Sequence, residues 1–365
     1  MSADKAAAPS AGGERPRSRD GGPLAAAPSS LGAIGDRDLA AAAGKVLSDC
    51  LRVRPGEKVL ILSDREYAPF AKKLLMRAKR MSGEATLRAL QRLRRKEPSP
   101  AIGRLMSESD VVISVARYSL THSKARRAAC RAGARMATMP GVPPASFLLG
   151  GLRADYRRVS EVVEAAFRAL RGRLDFEVSS ENGTRMRLET VPSRSWVRES
   201  GLVHHPGEFD NLPAGELAML PIRERAEGTL VFDFLSGCKG PVALDIRRGS
   251  IRAVRGDPAA GRLFQRFGRR SARLAEFALG CNPWARVMEN TLECEKALGT
   301  CHFAFGNDLI FGGSNAVPFH RDGIIFRPTI RCGGELVVRN GRWCGALGRA
   351  LRSARGPGDP ARAGL

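Results

Sequence analysis

Two patterns in succession predict an α/β domain with a parallel sheet at residues 38–171, followed by an α+β domain at residues 172–350. In the first stretch, short aliphatic runs alternate with segments whose apolar residues recur at helical spacing, as strands joined by helical crossovers do. In the second, strand-like segments succeed one another with turn residues between them. The length, 365 residues with a hydrophobic share of 43%, is enough for two packed cores of ordinary size.

Residues 38–53 carry apolar side chains at the spacing of an amphipathic helix. Pro55 and Gly56 turn the chain into 58–63 (KVLILS), apolar throughout its centre as a buried strand is. Residues 69–81 read as helix, 85–90 as strand and 102–106 as helix. The β-branched run at 110–115 (DVVISV) is a further strand, followed by a helix over 123–132 and a strand near Met136. A helix over 155–170 closes this organisation. Beyond it, strands are expected at 175–179, 185–190, 217–220, 229–234, 242–246 and 250–254, with hairpin turns at Asn182-Gly183 and Arg248-Gly249. A helix is expected over 259–276, then strands between His302 and Val338.

Residues 1–37, rich in Ala, Gly, Pro and Ser, read as a disordered tail, and 351–365 as a shorter one. No run approaches the roughly 20 apolar residues that cross a bilayer. The N-terminus lacks the apolar segment of a secretory signal, so a cytoplasmic, non-membrane protein is expected. The net charge of +23 raises the question of nucleic acid. Arg is spread along the whole chain, however, and the one compact basic cluster, Gln91 to Lys96, has no aromatic residues for base stacking. Nucleic acid is therefore not the expected partner. None of the eight cysteines forms a C-x-x-C pair, which excludes zinc-ribbon and thioredoxin motifs and points to reduced thiols.

The five histidines carry most of the chemical information. In Val317-Pro318-Phe319-His320-Arg321-Asp322-Gly323, extended backbone would point His320 and Asp322 the same way, presenting an imidazole and a carboxylate to one point. His302 lies in an apolar strand-like segment where its ring needs a buried partner. Glu276 is an isolated acid in LAEFALG, and Glu216 follows the turn NLPAG at the start of an apolar strand. Burying such acids unpaired is costly, and one metal site would satisfy them together with the histidines. Cys301 faces away from its neighbour His302 and reads as core. His204 and His205, before Pro206-Gly207, read as loop residues at the surface.

The runs NLPAGE, AEFALGCNPWA, EKALGTCHFAFGN and FGGSNAVPFHRDGIIFRPT resemble, in order and spacing, the aminopeptidase T/leucyl aminopeptidase family of metallopeptidases. The upstream RPGEKVLIL, DVVISV and SLTHSKARRAACRAGARMATMPGV resemble its short prokaryotic members, and the similarity spans residues 38 to 345. The resemblance implies an N-terminal α/β domain and a C-terminal domain holding two metal ions, usually in a homodimer. Its metal ligands fall on Glu216, Glu276, His302, His320 and Asp322, with Glu216 also a candidate catalytic group. Two ions of zinc, cobalt or manganese would activate a water against the peptide bond next to a free α-amine, making the chain an aminopeptidase-like hydrolase. The family's Tyr beyond the histidine matching His302 is missing, since residues 306–310 read GNDLI; Asn307 is the donor available there.

Two other functions use the same residues. His302, His320 and Asp322 make the two-histidine, one-carboxylate set of non-haem iron oxygenases. A 2,5-dihydroxypyridine ring-opening dioxygenase is among the short relatives of this family, and the chain resembles it in length. One Fe(II) would then replace the two ions, the substrate would be a small molecule, and His122 would act as an acid–base group. The third alternative is a metal-binding accessory protein without catalysis.

Overall fold

The computed structural model describes residues 30–91 and 97–354. Most of the basic cluster at 91–96, and residues 1–29 and 355–365 of the two expected tails, lie outside them. Secondary structure begins ahead of residue 38: a 3-10 turn spans Leu31–Ala33, and Leu31 and Ile34 are buried in the main core.

The first sheet is wholly parallel. It contains β1 (Lys58–Ser63), β2 (Glu84–Ala89), β3 (Val111–Ala116) and β4 (Arg135–Pro140), in the order β2-β1-β3-β4. Helix α1 (Asp36–Lys45) and α2 (Ala68–Ser82) cover one face, where Phe70 and Leu74 pack with Ile61 and Ile113. Helices α3 (Pro100–Ser107) and α4 (Lys124–Arg131) cover the other, where Met106 and Ala129 pack with Leu60 and Val112. Burial on both faces is why these strands read as continuous apolar runs rather than as alternation. Ser99 and Ser123 cap α3 and α4, each accepting a backbone N–H three residues on. A short α5 (Ala145–Leu148) and the long α6 (Tyr156–Leu170), capped by Asp155, lead out of this layer.

Two antiparallel sheets follow. One is a six-stranded sheet in the order β11-β16-β15-β14-β9-β7. Its strands are β7 (Val197–Glu199), β9 (Glu216–Met219), β11 (Phe234–Leu235), β14 (Leu274–Gly280), β15 (Cys301–Gly306) and β16 (His320–Ile325). The other has eight strands in the order β13-β12-β10-β6-β5-β17-β18-β19. These are β5 (Asp175–Ser179), β6 (Arg185–Glu189), β10 (Glu227–Phe232), β12 (Val242–Arg247), β13 (Ser250–Gly256), β17 (Thr329–Cys332), β18 (Glu335–Arg339) and β19 (Arg342–Trp343). The remaining strand, β8 (Phe209–Asn211), returns to the first sheet and pairs in parallel with β4. Both expected hairpin turns are present, and Arg248 and Gly249 each take positive φ, 49° and 60°, as a tight turn between β12 and β13 requires.

One element departs from its expectation. The helix predicted over 259–276 stops early: α7 covers Pro258–Gln265, and residues 274–280 are strand β14. Gly268, at φ +63°, breaks the helical run, and the following LAEFALG is buried along its whole length. Helical spacing had absorbed a continuous apolar strand, an ambiguity short apolar runs always carry. Helices α8 (Thr291–Cys294) and α9 (Gly345–Ser353) complete the chain. Among the described residues, no helix is long and apolar enough to cross a membrane.

Candidate metal centre

The six-stranded sheet has two chemically opposite faces, and its register assigns each side chain. Ala278 pairs with His302, Ala304 with Asp322, Gly306 with His320, and Gly280 with Glu216. Cross-strand partners share a face, so Glu216, Glu276, His302, His320 and Asp322 all project from the same side. Between them lie Ala218, Ala278, Gly280, Ala304 and Gly306, residues too small to crowd the acids and imidazoles. The opposite face is aromatic: Phe277 stacks on Phe303 with centroids 4.9 Å apart, and Phe305 meets Phe264 at 5.4 Å. Burying this second face in the main core anchors the polar one.

Glu276 reaches the polar side through an irregularity. Leu274 pairs with Phe305, on the core face, whereas Glu276 pairs with Ala304 on the other, so Ala275 is an extra residue in β14. A bulge of this kind re-aims the side chains that follow it. Without it, Glu276 would fall into register with Leu274 and point at the aromatic core.

Glu276 joins the two imidazoles. Its Oε1 lies 3.2 Å from His302 Nε2 and its Oε2 3.1 Å from His320 Nε2. His320 Nε2 is also 3.1 Å from Asp322 Oδ1, and His302 Nε2 is 3.7 Å from Glu216 Oε2. The His320 ring is oriented from behind, its Nδ1 lying 2.8 Å from the Asn307 carbonyl, which directs Nε2 at the acids. Burial opposes charge on both imidazoles, yet the acids win. The hydrogen bond and charge of Glu276 raise His302 to about 9, and Asp322 and Glu276 raise His320 well above its ordinary value. Burial would likewise raise the acids, but His302 and His320 hold Glu276 far below the carboxylate range, and His320 draws Asp322 to about 2.

Such a cluster calls for a cation, and the donor set fits a divalent metal. Three groups bring their donor atoms within 4.8 Å of one another: Glu216, Glu276 and His302; Glu276, His320 and Asp322; and Glu295, His302 and Asp322. None of these groups includes a cysteine, and Cys301 is buried on the other face. Imidazole nitrogen and carboxylate oxygen are ligands common to zinc, iron and manganese sites, so the residues alone do not name the ion.

Three charged residues of the cluster had no counterpart among the candidates read from sequence. Lys296 is buried, with its Nζ 2.8 Å from Glu199 Oε2, 2.6 Å from Glu216 Oε2 and 3.2 Å from Glu295 Oε1. Burial disfavours its charge, but the three carboxylates raise it well above the ordinary lysine value. Burial in turn pushes Glu199 up to about 8 and Glu295 to about 7, against the pull of the ammonium. The available signal was Lys296 itself, a charge between Cys294 and the apolar ALGTC run.

His122 comes from the other layer. It lies in the loop between β3 and α4, at the carboxyl end of the parallel sheet, and its ring stacks on His320 with centroids 4.2 Å apart. Thr121, next to it in the chain, and Thr138 of β4 both donate to Asn211 Oδ1, at 2.9 and 2.6 Å, tying β4, β8 and the His122 loop together. Ligand sites of open α/β sheets gather at this edge. His204 and His205 are elsewhere: His204 Nε2 lies 2.8 Å from the Asp49 carbonyl, and His205 is exposed. Asn307 is not a free donor, because its Nδ2 already binds the Val317 carbonyl.

Known proteins sort the alternatives. The fold is similar to a solved structure of 2,5-dihydroxypyridine dioxygenase from Pseudomonas putida KT2440, with a TM-score of 0.72, 20% identity, and coverage of 87% of this chain and 100% of that one. It is also similar to wild-type AmpT from Thermus thermophilus, with a TM-score of 0.63, 19% identity, and coverage of 85% and 99%. At these identities both likenesses concern the fold. In sequence, the chain is 28% identical over 165 residues to a 2,5-dihydroxypyridine 5,6-dioxygenase of Pseudomonas putida, a match spanning 43% of this chain and 45% of the relative, less than half its length. The family model that matches is that of the 2,5-dihydroxypyridine 5,6-dioxygenases. This overturns the aminopeptidase T assignment, and with it the hydrolase, metallopeptidase and protease readings. The motifs behind that resemblance describe a fold and a donor set that occur with more than one chemistry. Since the match runs over residues 38–345, nearly the whole of the described fold, the chain belongs to the 2,5-dihydroxypyridine 5,6-dioxygenase family.

Proposed function

We propose that the chain is a ring-cleaving dioxygenase for 2,5-dihydroxypyridine or a closely similar hydroxylated aromatic ring, using a single Fe(II). The observation that carries this is the meeting of His302, His320, Glu276 and Asp322 on one sheet face, in a chain of that family. The ion would be held by Glu276, His320 and Asp322, with His302 beside it against Glu276. Imidazole and carboxylate together suit non-haem iron and leave positions open for other ligands. When bound, iron supplies the one-electron chemistry through which dioxygen and an aromatic diol react.

The protein's own part is positioning and proton handling. His122, stacked against His320, is placed to take a proton from a ring hydroxyl and return it later, a role worth about 10²–10⁴ in rate for a well-placed acid–base group. Phe311, 6.4 Å from the His320 ring, covers Ala218 and Ala278 and gives the polar face an apolar wall. A flat ring fits such a wall, and water is kept from it.

The test is direct. Protein loaded anaerobically with Fe(II) is mixed with 2,5-dihydroxypyridine and oxygen, and oxygen uptake is followed with loss of ring absorbance. One oxygen consumed per ring opened is expected. Iron-loaded protein that consumes neither would end this proposal.

A further inference from the structure

Lys296 divides the acidic cluster into two unlike halves. Glu199, Glu216 and Glu295 face its ammonium, whereas the ion pairs of Glu276 and Asp322 are with imidazoles. The ammonium cannot drift away. Its side chain is 1% exposed, and its backbone is fixed by the Asn282 N–H donating to the Lys296 carbonyl at 2.8 Å. Glu216 is the revealing residue. It belongs to the group that could hold an ion with Glu276 and His302, yet its Oε2 stands 2.6 Å from Lys296 Nζ and 3.7 Å from His302 Nε2. A dication in that group would share an oxygen with a fixed positive charge, in surroundings that screen little.

We propose that the Lys296 ammonium takes the place of a second metal ion, so that a five-ligand face able to hold two ions holds one; this rests on the single-iron centre proposed above. Glu216, read from sequence as a metal ligand, is then the ammonium's counter-ion. The one ion belongs at the imidazole end, with Glu276, His320 and Asp322. Lys296 is a positioning residue, setting how many ions enter and where.

The experiment counts ions rather than turnover. Metal-free full-length protein is titrated with Mn(II), bound metal per chain is measured by elemental analysis, and the spin resonance spectrum reports whether two ions are coupled. Wild type is expected to stop at one ion in excess Mn(II). Lys296→Met, which keeps length and removes charge, is expected to take up two with a coupled spectrum, and Lys296→Arg to remain at one. Glu216→Gln is expected to retain the single ion, and this variant decides the matter should Lys296→Met fail to fold. Two ions in wild type, one in folded Lys296→Met, or none in Glu216→Gln would each overturn the proposal. Wild type that binds no ion would sink the metal centre itself, a failure distinct from the others.

Discussion

His320 is held from both sides, its Nδ1 against the Asn307 carbonyl and its Nε2 between Glu276 and Asp322. Replacing it with alanine should abolish iron binding and activity together, whereas His205→Ala, at an exposed loop position, should leave iron content unchanged; bound iron per purified chain checks both. His122→Ala should separate the two properties. It should keep one iron per chain and lose about 10²-fold or more in kcat, because an acid–base group and not a ligand has been removed. The protonation of His302 gives a pH signature. With its value raised from 6.5 to about 9 in the metal-free fold, its pairing with Glu276 stabilises fully below pH 6.5 and fades as pH rises through about 9. Metal-free protein should therefore melt progressively lower over that window. Iron-loaded protein, in which the ion takes up the charge of Glu276 that held the His302 proton and binds His320 as a neutral imidazole, should not follow it, and iron binding at neutral pH should release protons measurable by calorimetry in buffers of different ionisation enthalpy.

Among the elements, β14, β15 and β16 carry the centre, and their small residues matter as much as their acids. Ala304 sits between Glu276 and Asp322 in the ladder. Ala304→Leu should cost about 1–3 kcal/mol in stability through overpacking. The same variant should lose bound iron, which melting curves and metal content would report together; full iron retention would contradict the shared face. The convergence of Glu216, Glu276, His302, His320 and Asp322 on one face was legible in the sequence because each is a polar residue in an apolar or Gly-rich run, where burial demands a partner. Lys296 was hidden by the same logic: one charge beside Glu295 reads as a solvated pair, and its distant partners Glu199 and Glu216 meet it only through sheet pairing. The parallel layer was readable because its strands are apolar throughout. The end of α7 and the start of β14 were not, since helical spacing and a buried strand look alike over so short a run.

For the molecule as a whole, the centre lies where two layers meet, the His122 loop of the parallel sheet resting on the polar face of the antiparallel one. An ion bound there stabilises only the assembled fold. At a free metal concentration about 1,000 times the dissociation constant, that linkage amounts to roughly 4 kcal/mol. Removing iron with a chelator should lower the melting temperature by several degrees, and restoring Fe(II) should recover it; an unchanged transition would mean that the ion bridges nothing the fold depends on. The fold alone does not assign the chemistry, because a similar architecture is found in AmpT.

The bulge at Ala275 has a genetic corollary. In these strands Glu276, His302, His320 and Asp322 stand at even-numbered positions on the polar face, while Phe277, Leu279, Phe303, Phe305 and Ile325 stand at odd ones in the hydrophobic interior. Removing one residue within a strand would swap the two duties for everything downstream in that strand. In a library of single-codon deletions, survivors should cluster in the connections between these strands and vanish from the strands themselves.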